Sequence, residues 1–381
     1  MKTSKMIMAT VAGVLLMSGT AFAFHGGGVA HCDGCHSMHN SADNAREGSP
    51  TAASVMKGSD ASSTCLNCHN GSKGYHVNSS IGDNVNQGGD FFWVSSAAVY
   101  DTSPRAGYVV TFDPDNNGHN VVAADFGLTA DGTNTTAPGG VMNAGLLGCT
   151  SCHDPHGQVD GGTANGTAPI SVSGSYGAED PTDGSIHGNF RLLGDAGFKQ
   201  ITAAAPVATS ANGARGTGSY GAWTNYGAGM SDWCLSCHQG FNENANMHPT
   251  DVPVPVSYNS YISTGDFTGD VATAFDALVP IERNVDDGSL LDAKSTAGVV
   301  GSEQVMCLSC HRAHASAFPN ALRWDNATSE FIAESGILNE HTTTLLADGA
   351  VPYYANDVAV DVVAKYGEYQ RQLCNKCHAK D

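Results

Sequence analysis

All twelve cysteines of the 381-residue chain fall into C-x-x-C pairs, and each pair is followed at once by a histidine. The six blocks are Cys32-Asp33-Gly34-Cys35-His36, Cys65-Leu66-Asn67-Cys68-His69, Cys149-Thr150-Ser151-Cys152-His153, Cys234-Leu235-Ser236-Cys237-His238, Cys307-Leu308-Ser309-Cys310-His311 and Cys374-Asn375-Lys376-Cys377-His378. A framework of disulfides, a set of zinc knuckles or a series of redox dithiols has no need of a histidine after every pair. Covalent attachment of c-type haem does need it. The two thiols add to the two vinyl groups on one porphyrin edge, and one helical turn carries the next imidazole under the iron. The expectation is six haem c groups per chain, with His36, His69, His153, His238, His311 and His378 as proximal ligands. The blocks are unevenly spaced, so this is not a repeat array.

The second axial ligand separates catalysis from electron transfer, because an iron with an open position can activate a substrate and a six-coordinate iron mainly passes electrons. Ten of the sixteen histidines remain: His25, His31, His39, His76, His119, His156, His187, His248, His314 and His341. No block carries the lysine that replaces the proximal histidine at the substrate haem of multihaem nitrite reductases. Six bis-histidine irons and no catalytic residue are expected. His39, His156 and His314 each stand three residues after a proximal histidine. Three residues is about one helical turn, so that spacing sends both rings from the same side of the backbone. The second ring then cannot cross its neighbour's porphyrin and must serve another haem, which draws the planes into a conducting chain. His76, His119 and His248 lie in turn-rich loops and complete the distal set, with His25 in reserve. His31, His187 and His341 read as surface residues, and Met38 and Met247 as porphyrin packing.

The run Asp113-Pro114-Asp115-Asn116-Asn117-Gly118 opens like a calcium loop, but Ala124 stands where the twelfth-position glutamate belongs. It reads instead as an Asx-rich turn that presents His119. Trp93, Trp223, Trp233 and Trp324 read as haem-packing or core aromatics. The arginines, Arg312 among them, read as partners for some of the propionates.

The elements that must position these groups are few. Lys2 and Lys5, the apolar stretch from Ile7 to Met17 and Ala21-Phe22-Ala23 form a secretory leader, so 1–23 is expected to be a Sec signal peptide and 24–381 the mature unit. Nothing after the leader is long and apolar enough to span a bilayer. A net charge of −20, with seventeen Lys+Arg against thirty-seven Asp+Glu, repels phosphate backbones and argues against nucleic acid. Forty-six glycines argue against long helices and regular sheet. Val358 to Leu373 has a helical period that delivers the last block, and short helical turns should surround the others. Gly107 to Phe112 and Asn120 to Ala123 can pair as a hairpin, while Gly161 to Gly177 and Ala203 to Gly229 read as loops. Roughly 60 residues per haem are too few for separate domains. The fold class expected is a single elongated multihaem cytochrome c, mostly coil and loops with short helices and very little sheet, its haem chain serving as the core.

Four stretches also carry a family likeness: Phe24-His25-Gly26-Gly27-Gly28-Val29-Ala30 with Cys35-His36-Ser37-Met38-His39-Asn40-Ser41, Cys152-His153-Asp154-Pro155-His156-Gly157, the run from Cys307 through His314-Ala315-Ser316, and Leu373-Cys374-Asn375-Lys376-Cys377-His378-Ala379-Lys380-Asp381. In motif order over the mature chain they resemble the OmcS-like hexahaem extracellular c-type cytochromes of Geobacter-type metal-reducing bacteria, with shorter loops between blocks. The resemblance implies a loop-dominated protomer that polymerises into a filament around a continuous line of bis-histidine haems. It also implies that His39 ligates a haem of the adjoining protomer, that of the Cys307 block. The function expected is extracellular electron transfer by a secreted, cell-surface homopolymer, from redox partner cytochromes to metal oxides or other cells. The alternatives are a monomeric periplasmic electron shuttle and a multihaem reductase.

Overall fold

The computed structural model describes residues 32–36, 56–70, 77–79, 88–95, 113–155, 190–210, 224–241, 250–260, 270–276, 279–292, 295–316, 318–323 and 376–378. Helices in these residues are short and most coincide with the cysteine blocks. They are α1 (Cys32–Cys35), α2 (Ala61–His69), α3 (Cys149–Cys152), α4 (Met230–Leu235) and α5 (Cys307–Cys310). Single 3-10 turns such as Phe91–Val94, Pro114–Asn116 and Gln239–Phe241 link them. Among the described residues no helix is long and apolar enough to cross a membrane.

The longest of these helices, α2, starts where Asp60 Oδ1 accepts the Ser63 N–H at 2.7 Å, which satisfies one of the donors that a first turn leaves open. The other oxygen of Asp60 accepts the Ala124 N–H at 2.8 Å. One carboxylate therefore caps the helix and ties it to a distant loop.

The loop expected over Ala203 to Gly229 contains a small antiparallel sheet. Strand β1 (Ala208–Ser210) pairs with β2 (Thr224–Tyr226) in the register Ala208 to Tyr226, Thr209 to Asn225 and Ser210 to Thr224. The local composition of Gly, Ser, Thr and Ala has no strong strand preference. Packing supplies the order instead, since Ala208 and Tyr226 are buried with Phe190, Met230, Met306 and Leu308. A second apolar cluster joins Leu66, Phe91, Val121, Ala123 and Leu128. One cluster holds residues of α2 and the other of α4 and α5, so the apolar side chains brace the cysteine-bearing turns. Of the proposed hairpin, residues 107–112 lie outside the described residues. On the other arm, Val122 N donates to Leu147 O and Ala123 N to Leu128 O. The helix over Val358 to Leu373, the loop from Gly161 to Gly177 and the leader also lie outside the described residues.

Candidate haem centres

In the third, fourth and fifth blocks the cysteine turn is pinned at its end by a hydrogen bond. In α3 and α5 the amide of the following histidine donates to the carbonyl of the first cysteine, His153 to Cys149 at 2.9 Å and His311 to Cys307 at 3.0 Å. The chain then becomes extended: φ and ψ are −106° and 130° at His153, −106° and 158° at His311. Bridges to Leu193 and Leu322 hold these two histidines, and His36 is bridged to Met56 in the same way. This overturns one geometric expectation. His311 and His314 are not successive turns of a helix, because the proximal histidine has already left helical geometry. The extended backbone still takes His314 away from its own block, toward the third.

Two imidazole pairs stand out. The rings of His119 and His238 have centroids 5.9 Å apart with planes inclined at 51°. Those of His153 and His314 are 6.3 Å apart and inclined at 60°. In three of these rings Nδ1 meets a backbone carbonyl: His119 to Ala313 O at 2.7 Å, His238 to Pro138 O at 2.7 Å, and His314 to Gly89 O at a longer 3.3 Å. His311 Nδ1 meets Asn320 O at 2.7 Å, and Asn320 is left-handed at φ 59°. A carbonyl can only accept, so Nδ1 carries the proton in each and Nε2 keeps its lone pair. Burial first, then proximity to His238, pulls the His119 pKa down to about 4, which keeps that ring neutral.

The segment after α5 is shared by several of these groups. Gly118 and Gly89 both bridge to Ala315, so residues 314–316 lie between 88–90 and 117–119. His119 N donates to His314 O at 2.8 Å, Ser316 N to Asn117 O at 2.9 Å and His314 N to Gly88 O at 2.7 Å. The approach needs glycine on both sides. A Cβ at Gly118 would lie 2.4 Å from His314 O, and one at Gly89, where φ is 91°, would overlap Ala315 O. The Asx-rich turn before it is present: Asp113 Oδ1 accepts Asp115 N at 3.1 Å, and buried Asn117 donates from Nδ2 to Ser316 O at 3.2 Å.

The cysteines of successive blocks also meet. Helices α2 and α3 pack together, as do α4 and α5. Cys65 and Cys149 lie within mutual reach; this proximity, burial and the nearness of Cys35 hold Cys65 well above the usual thiol range, while the same proximity lowers Cys149. Cys234 and Cys307 are related in the same way. Burial, with Cys237 and Cys149 nearby, pushes Cys152 up to about 12.

Comparison with known proteins agrees with this arrangement. The chain is 37% identical to the C-type cytochrome OmcS of Geobacter sulfurreducens over an alignment of 437 residues that spans all of both proteins. It belongs to the OmcS-like c-type cytochromes. The alignment is longer than the 381-residue chain and therefore carries gaps in it. Two solved structures superpose on it with a TM-score of 0.71 each: an outer membrane cytochrome S filament and OmcS nanowires, both from Geobacter sulfurreducens. They are 32% and 34% identical, and in each case the match covers 94% of this chain and 100% of the other. No family model matches.

The residues of this cytochrome fit the prosthetic group of its family. Two imidazoles on opposite faces of one metal, each bound at about 2 Å, place their ring centroids roughly 6 Å apart. Both observed pairs have that separation, and each joins the histidine of a cysteine block to one from elsewhere in the chain. The Nδ1 to carbonyl bonds are the supports that orient a ligating histidine and raise its basicity. Of the other distal candidates, His39, His76, His156 and His248, with the reserve His25, lie outside the described residues, as does Cys374. Of Trp93, Trp223, Trp233 and Trp324, Trp93 is buried and Trp233 Nε1 donates to Gly194 O at 2.8 Å, while the other two lie outside the described residues.

Sequence reasoning missed the serine before the second cysteine in blocks three, four and five. Ser151 Oγ accepts Gly148 N at 3.0 Å, Ser236 Oγ accepts Thr202 N at 3.0 Å, and Ser309 Oγ accepts Met306 N at 3.1 Å while donating to Pro280 O at 2.6 Å. All three are buried. Their recurrence at one place in three blocks was the available signal. Ser62 of α2 was also missed; its Oγ accepts the Cys149 N–H at 3.0 Å and so caps α3.

Proposed function

We propose that the chain is an exported hexahaem cytochrome, with 1–23 as its leader and 24–381 as one elongated unit, that polymerises head to tail and conducts electrons to extracellular acceptors. The observation that carries this reading is the pairing of His119 with His238 and of His314 with His153 across different blocks, at centroid distances of 5.9 and 6.3 Å. On this reading His119 is the distal ligand of the fourth haem and His314 of the third. His39, His76, His156 and His248 serve the others, His39 from a neighbouring protomer. The solved filaments of the relatives support assembly, and head-to-tail contacts that do not close give open polymers. A coordinate bond across the interface would offset the mutual repulsion of mature subunits, each with 15 Lys+Arg against 37 Asp+Glu once Lys2 and Lys5 leave with the leader.

When bound, each haem supplies an iron that exchanges one electron. The chain's own residues do the rest. The cysteine pairs hold the porphyrin edges, and the contacts of Cys65 with Cys149 and of Cys234 with Cys307 bring successive edges together. Carbonyls of Ala313, Pro138 and Asn320 fix the rings of His119, His238 and His311. Buried Leu66, Phe91, Met306 and Leu308 exclude water behind the blocks. With His238 and His119, and His153 and His314, available to hold a haem between them, those two sites would leave no position for a substrate, so we read the chain as an electron carrier and not a reductase.

The test uses the secreted, haem-loaded protein. His119→Ala, His314→Ala and His39→Ala should each convert one haem per protomer to the high-spin form, read by absorption and electron paramagnetic resonance. Only His39→Ala should also abolish filaments in electron micrographs. Long filaments with an unchanged low-spin spectrum from His39→Ala refute the interprotomer bond, and a fully low-spin His119→Ala refutes the pairing.

A further inference from the structure

Both imidazole pairs have inclined planes, 51° at one and 60° at the other, and in each pair one ring lies against a phenylalanine. Phe241 stacks on His238 with centroids 5.4 Å apart and planes within 6°. Phe91 stacks on His314 at 4.7 Å and 28°. Local backbone sets each arrangement. Phe241 ends the 3-10 turn that begins just after His238, and its amide donates to His238 O at 3.0 Å. Gly139 closes over its other side, where a Cβ would come within 2.9 Å of the ring. Phe91 opens a 3-10 turn beside Gly89, whose carbonyl is the acceptor for His314 Nδ1. That bond, at 3.3 Å, is too long to set the angle of the ring by itself.

The angle between axial imidazoles matters for a low-spin ferric iron. Its single unpaired electron occupies one of two orbitals of π symmetry that interact with the ligand rings. Parallel rings split those orbitals strongly and stabilise the ferric state; rings approaching perpendicular split them weakly, which favours the ferrous state and raises the potential. A haem in a protein is tuned through its axial ligands and their supports. Here the supports include aromatic faces as well as carbonyls.

Resting on the ligand pairing above, we propose that Phe241 and Phe91 are positioning residues that hold the planes of His238 and His314, keeping the axial rings of two haems inclined and their potentials high. Neither side chain is a ligand. Each acts by denying its histidine rotation toward the plane of the opposite ring. Phe241 is the cleaner test, because at 37% exposure it can be altered without opening a core.

The experiment compares the full haem-loaded protein with Phe241→Leu, Phe241→Trp and Phe91→Leu by low-temperature electron paramagnetic resonance and a spectroelectrochemical titration. In Phe241→Leu one low-spin signal should move toward the more rhombic shape of parallel rings and one midpoint potential should fall, with haem content and the low-spin state unchanged. Phe241→Trp, which keeps an aromatic face, should restore both. Phe91→Leu should change a different signal. Spectra and potentials of Phe241→Leu that superpose on the unaltered protein overturn the proposal, provided His119→Ala still yields a high-spin haem. If His119→Ala leaves every haem low-spin, the pairing fails and this proposal with it. Loss of haem from Phe241→Leu makes Phe241 a folding residue and also overturns it.

Discussion

A methyl group at Gly118 has no room. In Gly118→Ala the new Cβ would sit 2.4 Å from His314 O, 2.5 Å from Ala315 Cβ and 2.6 Å from Ala315 Cα, whereas ordinary contact begins at 3.4 Å. The segments 117–119 and 314–316 must therefore part by about 1 Å or absorb the overlap, at an overpacking cost of about 1–3 kcal/mol. They are joined by His119 N to His314 O at 2.8 Å, Ser316 N to Asn117 O at 2.9 Å and His119 Nδ1 to Ala313 O at 2.7 Å, and parting breaks or strains all three. His119 lies on one segment and His314 on the other. A metal–nitrogen bond near 2 Å tolerates only a few tenths of an ångström, so if His119 and His314 are the distal ligands proposed above, a shift of about 1 Å would remove at least one of them. One or two haems per chain should then become high-spin, as counted against total haem by absorption and electron paramagnetic resonance. The control is Gly127→Ala, where φ is 71° and nothing lies within 4 Å. It should cost about 1–2 kcal/mol of backbone strain and leave every haem low-spin. A Gly118→Ala protein with an all-low-spin spectrum and an unchanged unfolding temperature would refute the clamp.

Two further substitutions test the frame around the blocks. Glu282, 2% exposed, accepts Gly229 N at 3.0 Å and Met230 N at 3.2 Å at the start of α4, and burial raises its pKa from 4.5 to about 7. The folded chain then keeps a proton that the unfolded chain has lost, so stability from this group falls as pH rises from about 4.5 through about 7, by roughly 3 kcal/mol. Glu282→Gln should flatten that part of the pH dependence and gain stability relative to the parent at pH 8, measured by thermal unfolding at pH 5 and 8. In the sixth block, fully buried Lys376 reaches Tyr258 O at 3.1 Å, the Tyr258 ring at 4.1 Å and Asp276 at 3.9 Å. Asp276→Ala takes the carboxylate from a buried ammonium and should cost about 3–5 kcal/mol in unfolding stability. An unchanged midpoint would mean that this block is anchored elsewhere.

Chemistry that depends on short spacing was readable in the sequence. Cys-x-x-Cys-His is local, so the positions of the helical turns followed from it. The Asx turn that delivers His119 was readable for the same reason. Pairing of His119 with His238 and of His314 with His153 was not, because it rests on contacts between residues over a hundred apart, made through β-bridges that leave no periodic trace. The expectation that His314 leaves its block by a helical turn failed because His311 is extended and bridged to Leu322. The strands at Ala208–Ser210 and Thr224–Tyr226 were hidden by a composition that favours loops; only burial against Met306 and Leu308 selects them. Glycine showed as an excess in the composition, yet the need for it at 89 and 118 appears only once Ala315 lies between them.

The stretch from His311 to Ser316 meets three centres at once. It holds His311 of the fifth block, it sets His314 beside His153 of the third, and its Ala313 carbonyl orients His119 beside His238 of the fourth. In an evolving lineage such a stretch is pleiotropic: a change there would disturb the geometry of three blocks together. The six residues at the crossing answer to three separate demands at once.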